Sequence, residues 1–346
     1  MKIRTIAVDL AKNVFEIGVS ERAGHVKKTH RLSRSKFLKF FVNQEPSRVV
    51  MEDCGSSHYW AREIRQLGHE VRLISPQYVK PYVLRNKTDR ADVKGLLEAD
   101  RNSDIHSVPV KTLAQQQLTA LHRIRSRWMA TRISRMNTLR GLLREFGLVI
   151  PVGARHVIPG AMELIEDAEV NLPDALRGTL NQMCTEIREL EARLQSVNGQ
   201  LEALAAQTPV VARLRSIPGI GLLTATAMVG FVGDVTRFRS SRHFASYLGL
   251  TPREHSSGNT RRLGRISKRG DVYLRTLLVH GAPERHHTIA APEMGPQCPP
   301  TTRVQQGNRC SSEQTGPTHM GRLETRFGLS GPLQSGLTVE PNITSA

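Results

Sequence analysis

Cysteine is scarce in this 346-residue sequence: Cys54, Cys184, Cys298 and Cys310 make up the whole complement, and no two of them form a CxxC pair. That spacing excludes a zinc ribbon and a disulfide framework, and reduced thiols in a cytoplasm are expected. Aromatic residues are also few, at 5%. No apolar run reaches membrane-spanning length, and the opening residues have no signal-peptide core. A soluble intracellular protein with no membrane partner is therefore expected. Lysine is missing altogether from Pro283 to Ala346, where five arginines balance five glutamates. Eight of the 18 prolines fall in that stretch, and it has no apolar period. The segment 283–346 is expected to be a disordered, atypical tail.

What is present is positive charge. Lys and Arg number 49 against 31 Asp and Glu, a net +18 that lies entirely before the tail. Such a balance makes a polyanion the natural partner. The hydrophobic share of 39% supports a sizeable core, and the length suits two domains of ordinary size.

Period-two alternation predicts strands over 3–9, 13–20 and 25–31, followed by a helical piece over 33–43. A short buried strand is predicted over 48–52, a helix over 56–67 and a strand over 70–75. Residues 81–100 read as a loop entering a helix. Three meandering strands, then helix, strand, helix and strand, describe an α/β sheet of RNase H-like type. Two long helices come next. The first carries Leu118, Leu121, Trp128, Met136, Leu139, Leu143 and Phe146 near heptad spacing. Its other faces hold Arg123, Arg127, Arg132 and Arg135 among seven arginines, which suit a nucleic-acid backbone or a solvated face. The second, from Leu176 to Leu204, has a coiled-coil seam that an intrachain hairpin and a pair of protomers satisfy equally. Ser216-Ile217-Pro218-Gly219-Ile220-Gly221 resembles a helix-hairpin-helix turn, in which Gly219 and Gly221 let backbone N–H groups approach phosphate. The segment 251–269 reads as a loop, ahead of a helix from 271 to about 280.

Four carboxylates stand out by position. Asp9 ends the apolar run Ile6-Ala7-Val8, and Glu52 ends Val49-Val50-Met51. A charge at the end of a buried strand is costly unless it is paired or binds a cation. Asp89 and Asp92 are three apart and share a helix face. Brought together, such carboxylates call for a hard divalent cation: Mg²⁺, as two ions for phosphoryl chemistry, with Mn²⁺ as the substitute. Each residue also has an ordinary reading. Asp9 is then a strand-end cap, Glu52 pairs with a base while Asp53 competes with it as a ligand, Asp89 is an N-cap, and Asp92 pairs with Arg90 or Lys94.

These residues resemble a known family. Val8-Asp9-Leu10-Ala11-Lys12, Met51-Glu52 and Lys87-Thr88-Asp89-Arg90-Ala91-Asp92 are similar to the DEDD transposases with a RuvC-like domain. These are the insertion-sequence recombinases of the IS-one-ten class, one-one-one-one branch, related to Piv-type invertases. Tyr247-Leu248-Gly249-Leu250-Thr251-Pro252-Arg253, Ser256-Ser257-Gly258 and the run Gly264 to Arg275 agree with its second domain. The resemblance covers roughly residues 1–282. It implies an RNase H/RuvC-like domain over 1–110, a helical coiled-coil segment over 111–207 and a mostly helical serine transposase domain over 208–282. It implies catalysis by Asp9, Glu52, Asp89 and Asp92 as metal ligands, with Ser257 as the nucleophile and Ser256 as the fallback. It further implies DNA partners (element ends and target), a structured noncoding RNA from the element, and a homo-oligomer, dimer or tetramer.

On that reading Ser257 joins to the scissile phosphate as a phosphoserine, which conserves the bond for rejoining. Arg253, Arg261, Arg262, Arg265, Lys268 and Arg269 surround it in sequence and suit the growing charge at phosphorus. The metal site and the serine are expected to act on one phosphate, across domains or protomers. Two other functions fit the same residues: a RuvC-like metal-dependent nuclease using water, and a catalytically defective nucleic-acid-binding remnant.

Overall fold

The computed structural model describes residues 4–22, 25–83 and 88–282. The chain divides into two compact units, residues 1–112 and 113–346. The expected tail 283–346 and Lys87 lie outside the described residues.

The first unit is a mixed five-stranded sheet in the order β3-β2-β1-β4-β5. Its strands are β1 (Thr5–Asp9), β2 (Val14–Ser20), β3 (Lys28–Ser33), β4 (Arg48–Glu52) and β5 (Glu70–Ile74). Helices α1 (Arg34–Val42), α2 (Ser57–Gln66), α3 (Pro76–Val79) and α4 (Asp89–Arg101) complete it. β1 runs antiparallel to β2 and parallel to β4. Alternation sorts the strand side chains to two faces. Ile6, Val8, Phe15, Ile17, Val49 and Met51 face α1 and α2, where Phe37, Phe41 and Trp60 fill the core. Trp60 is 4% exposed and belongs to this core. Ala7, Val50 and Ile74 point the other way, onto Val93, Leu96 and Leu97 of α4.

Gly18 of β2 allows α4 to lie close to the sheet, because a Cβ there would stand 2.4 Å from Val93 Cγ1. At the far end of α4, Arg72 Nη1 of β5 donates to Asp100 Oδ1 at 2.7 Å, and Arg48 Nη1 of β4 lies 3.9 Å from Asp100 Oδ2. Arg48 begins β4, so α4 runs antiparallel to β4 and its first turn comes to the carboxyl ends of β1 and β4.

The second unit is mostly helical. It contains α5 (Leu113–Glu145), α6 (Val157–Glu166), α7 (Asp174–Ala206), α8 (Pro209–Arg215), α9 (Leu222–Val232) and α10 (Ser241–Tyr247). The hairpin β6 (Pro252–Glu254) and β7 (Leu263–Ile266) follows, then α11 (Val272–His280). The seam of α7 is an intrachain one. Arg125 Nε bonds Asn198 Oδ1 at 2.8 Å, Arg132 Nε bonds Glu191 Oε1 at 2.8 Å and Arg135 Nε bonds Glu186 Oε2 at 2.8 Å. Partners that descend in number as the arginines ascend define an antiparallel α5–α7 hairpin. Met136, Leu139 and Leu143 pack with Leu180, Cys184 and Ile187 near its tip. At its root, Leu118, Val197 and Leu201 pack with Leu222 and Val229 of α9, so the position 207/208 falls inside one compact unit.

Candidate functional site

The register of the sheet places the first two carboxylates. Ala7 pairs with Val50 and Val8 with Met51 in the parallel β1–β4 ladder. The next positions, Asp9 and Glu52, therefore stand side by side at the strand ends. Alternation puts both on the face of Ala7 and Val50, which is the face covered by α4. Asp53, the competing ligand, is engaged elsewhere: it accepts from Ser57 Oγ at 3.2 Å, and His58 Nε2 lies 3.4 Å away.

The first turn of α4 supplies the other two. Thr88 is the N-cap, its Oγ1 accepting from Ala91 N at 3.2 Å, so Asp89 is the first helical residue and not the cap. Asp92 donates its backbone N–H to Thr88 O at 2.9 Å. Because α4 runs antiparallel to β1, this turn comes over the row that holds Asp9. The contact confirming that alignment is Arg90 Nε, 3.9 Å from Glu16 Oε1, since Glu16 is the cross-strand partner of Asp9 on β2. Among the described residues no three His, Cys, Asp or Glu side chains approach closely enough to hold a metal ion. The carboxylates of β1 and β4 share a face without forming such a cluster.

Glu16 was missed by sequence reasoning. It is 7% exposed and lies on the same row and face as Asp9. A charge inside an alternating run was its only signal, because which residue it faces depends on the β1–β2 register.

The serines lie on the β6–β7 hairpin of the second unit, which is a strand pair where a loop was expected. Ser257 pairs with Thr260 through Ser257 N to Thr260 O at 3.2 Å and Thr260 N to Ser257 O at 3.1 Å. The tip between them contains Gly258 at φ +55°, a left-handed conformation that suits glycine. The two hydroxyls differ. Ser256 Oγ donates to Glu254 Oε1 at 2.7 Å and accepts from Arg262 N at 3.2 Å. That bond, followed by the charge of Arg261, holds the Glu254 carboxyl below its usual range. Ser257 makes no side-chain hydrogen bond among the described residues. Arg253 donates to Ser267 O at 3.2 Å, while Arg262, Arg265, Lys268 and Arg269 are exposed around the hairpin.

The remaining expected contacts are distributed unevenly. Arg132 and Arg135 are engaged with Glu191 and Glu186 across the helical hairpin, whereas Arg123 and Arg127 are exposed. Gly219 has φ +82° and lies in the turn between α8 and α9, with Gly221 as the N-cap of α9. The carbonyl of Gly219 lies where a Cβ on Gly281 would stand, 2.1 Å away, so one side of that turn is packed against the end of α11.

Comparison with known proteins finds matches in both parts of the chain. A family described as DEDD transposase, IS110 type, matches residues 6–147, and the Transposase IS116/IS110/IS902 family matches residues 211–293. The chain is 43% identical to a probable family 20 transposase of Pseudomonas aeruginosa over 82% of this chain and 84% of the relative. It is 38% identical to the transposase for insertion sequence element IS1111A of Coxiella burnetii, over 81% and 77% respectively. A more distant likeness, 24% identical over 73% of each chain, is to the pilin gene-inverting protein of Moraxella lacunata. These matches define the class as transposase, an enzyme that cleaves and rejoins DNA. The chain belongs to the IS110/IS116/IS902 family of insertion-sequence transposases. The DEDD class points to divalent-metal dependence and fits an RNase H-like sheet. No helix among the described residues is long and apolar enough to cross a membrane.

Proposed function

We propose that this transposase cuts and rejoins DNA with Ser257 as nucleophile, while Asp9, Glu52, Asp89 and Asp92 hold Mg²⁺, with Mn²⁺ able to replace it. The observation that carries the metal assignment is the pairing of two alignments. The parallel register sets Asp9 beside Glu52, and the antiparallel run of α4 brings the turn of Asp89 and Asp92 to the same row. All four donors are carboxylate oxygens, the chemistry a hard divalent ion takes. Such an ion, when bound, withdraws charge from phosphate oxygens and eases displacement at phosphorus.

The chain's own residues do the rest. Ser257 Oγ attacks the scissile phosphorus and loses its proton. A phosphoserine ester forms as the bond to the 3′-oxygen breaks, and that oxygen leaves as a 3′-hydroxyl. Attack by a 3′-hydroxyl on the phosphoserine runs the step backwards, reseals DNA and frees the serine. Ser257 is favoured over Ser256 because the Ser256 hydroxyl already serves Glu254 and Arg262. Arg253, Arg261, Arg262, Lys268 and Arg269 supply positive charge around the attacked phosphate. Arg123 and Arg127, with the turn of Gly219 and Gly221, contact nucleic-acid backbone, which includes an element-encoded guide RNA. The working parts are residues 1–110 for metal holding, 111–207 as a helical arm and 208–282 for the serine, assembled as a dimer or tetramer.

The test is covalent trapping. Full-length protein with Mg²⁺ and DNA carrying the element's ends is denatured, and protein-linked DNA is counted. Ser257→Ala is expected to remove the adduct and to lower strand cleavage on the order of a thousandfold or more, while Ser256→Ala retains the adduct. Asp9→Asn is expected to abolish both. Full-rate hydrolysis by Ser257→Ala would exclude the serine and leave a metal nuclease using water.

A further inference from the structure

The two edges of the sheet differ. The outer edge of β5 is closed by a bridge from Leu73 to Val108, with Val108 N donating to Leu73 O at 2.8 Å. Among the described residues no strand pairs with the outer edge of β3. From Arg22 to Lys39, the segment that forms this edge and α1, the sequence has seven Lys and Arg and no acidic residue. All seven are exposed. Among the described residues, Lys27 alone of them is in an ion pair, with Glu21 at 2.6 Å. Arg34 has a structural task, donating to Lys12 O at 3.3 Å and lying 4.9 Å over the Trp60 ring.

Register adds a direction to this charge. Asp9 pairs with Glu16, and Glu16 pairs with Arg31, so the three side chains form one cross-strand row on the α4 face. Arg31 thus lies two strands from Asp9, about 10 Å across the sheet. Lys28 points to the opposite face, and Lys36 and Lys39, three apart on α1, share a helix face. Lysines on an edge strand also serve to repel other strands. That duty needs one or two charges on the strand itself. It accounts neither for the basic run continuing along α1 nor for an arginine on the row of the carboxylates.

We infer that the β3 edge and α1 form a phosphate-backbone contact surface, and that DNA lies across it with Arg31 the contact nearest the strand-end carboxylates. The occupant is DNA rather than RNA because the row that holds Arg31 ends at Asp9, where the strand to be cut must come. This direction rests on the metal-holding reading of Asp9 and Glu52. The binding surface itself is tested without it.

The experiment compares the parent, Asp9→Asn and a quadruple variant, Lys28→Gln, Arg31→Gln, Lys36→Gln and Lys39→Gln, as full-length proteins. Affinity for a mixed-sequence DNA duplex and for a hairpin RNA of matched length is measured with divalent metal chelated, across a salt series. The quadruple variant is expected to bind DNA at least about tenfold more weakly, with the slope of log affinity against log salt reduced by about three to four. Asp9→Asn removes a negative charge from the DNA path and is expected to bind at least as tightly as the parent while losing cleavage, so failure of cleavage chemistry and failure of the surface are separate results. Unchanged DNA affinity and slope in a folded quadruple variant overturn the inference, as does self-association of that variant with its soluble fraction binding DNA normally. A loss confined to RNA overturns the assignment to DNA. A single Arg31→Gln variant, which leaves most of the edge charge in place, keeps the test open should the quadruple variant not fold, with a slope change of about one expected.

Discussion

His122 Nε2 lies 2.9 Å from Thr226 Oγ1, inside the second unit and fully shielded from solvent. The direction of the proton follows from the neighbours. Thr226 Oγ1 donates to Leu222 O at 2.7 Å, so it accepts from His122 Nε2–H. His122 Nδ1, 3.0 Å from Tyr273 Oη, is left as the acceptor of the tyrosine hydroxyl. One neutral imidazole thereby ties α5 to both α9 and α11.

Burial, with Arg125 adding to it, pushes the His122 pKa down to about 4. The fold therefore prefers the neutral ring. The stability it contributes is complete above the unfolded value near 6.5 and is lost as pH falls towards 4. The full span is worth about 3 kcal/mol. In urea unfolding, the stability difference between the parent and His122→Gln is expected to narrow on going from about pH 7 to about pH 4. A difference that stays constant with pH counts against a neutral, buried His122.

Gly18→Ala would place a Cβ 2.4 Å from Val93 Cγ1 and push α4 away from the sheet. A cost of about 1–3 kcal/mol is expected. Since α4 carries Asp89 and Asp92, the variant is also expected to need more Mg²⁺ for half-maximal cleavage. Adding Val93→Ala makes room and restores most of both losses. Calorimetry and a metal titration check the pair. A Gly18→Ala protein with parental stability and metal demand would falsify the close approach.

Gly249 has φ +73°, and a Cβ on it would lie 1.9 Å from Arg269 O. The obstacle is backbone, which no rotamer change relieves. Gly249→Ala is expected to cost about 3 kcal/mol or more and to free the base of the β6–β7 hairpin. Faster proteolysis between 250 and 270, with helical circular dichroism retained, is the expected signature. Protection equal to the parent's at those bonds contradicts it.

Arg132→Ala removes a half-exposed pair with Glu191, so stability should fall by only about 0.2–1 kcal/mol. DNA affinity should change less than in Arg127→Ala, because Arg127 is exposed and Arg132 is already engaged by α7. A filter-binding comparison decides it, and an equal or larger loss for Arg132→Ala returns that residue to the DNA contacts.

The strands with apolar cores were legible from sequence. Ile6-Ala7-Val8 and Val49-Val50-Met51 announce buried strands, and each ends on the acid expected there. β3 lies later than its expected span, because Lys28, Arg31 and Ser33 of an edge strand carry little alternation. The β6–β7 hairpin was invisible for a stronger reason. Every residue of both strands is exposed, so no burial pattern marks them. α6 was hidden by Pro159 and Gly160 within it, although Val157, Ala161 and Ile165 bury one face. Neither Glu16 nor His122 belongs to a motif. Their neighbours come from other elements, and only the folded register reveals them.

The α5–α7 hairpin has one further consequence. Each of its long helices has 33 residues, which at 1.5 Å per residue is about 50 Å. Measured along B-form DNA at 3.4 Å per step, that is roughly fifteen base pairs. The seam repeats by heptads, so deleting one from each helix shortens the hairpin by about 10 Å without disturbing the packing between the helices. The reach of the tip from the root is thus set by the length of two helices alone.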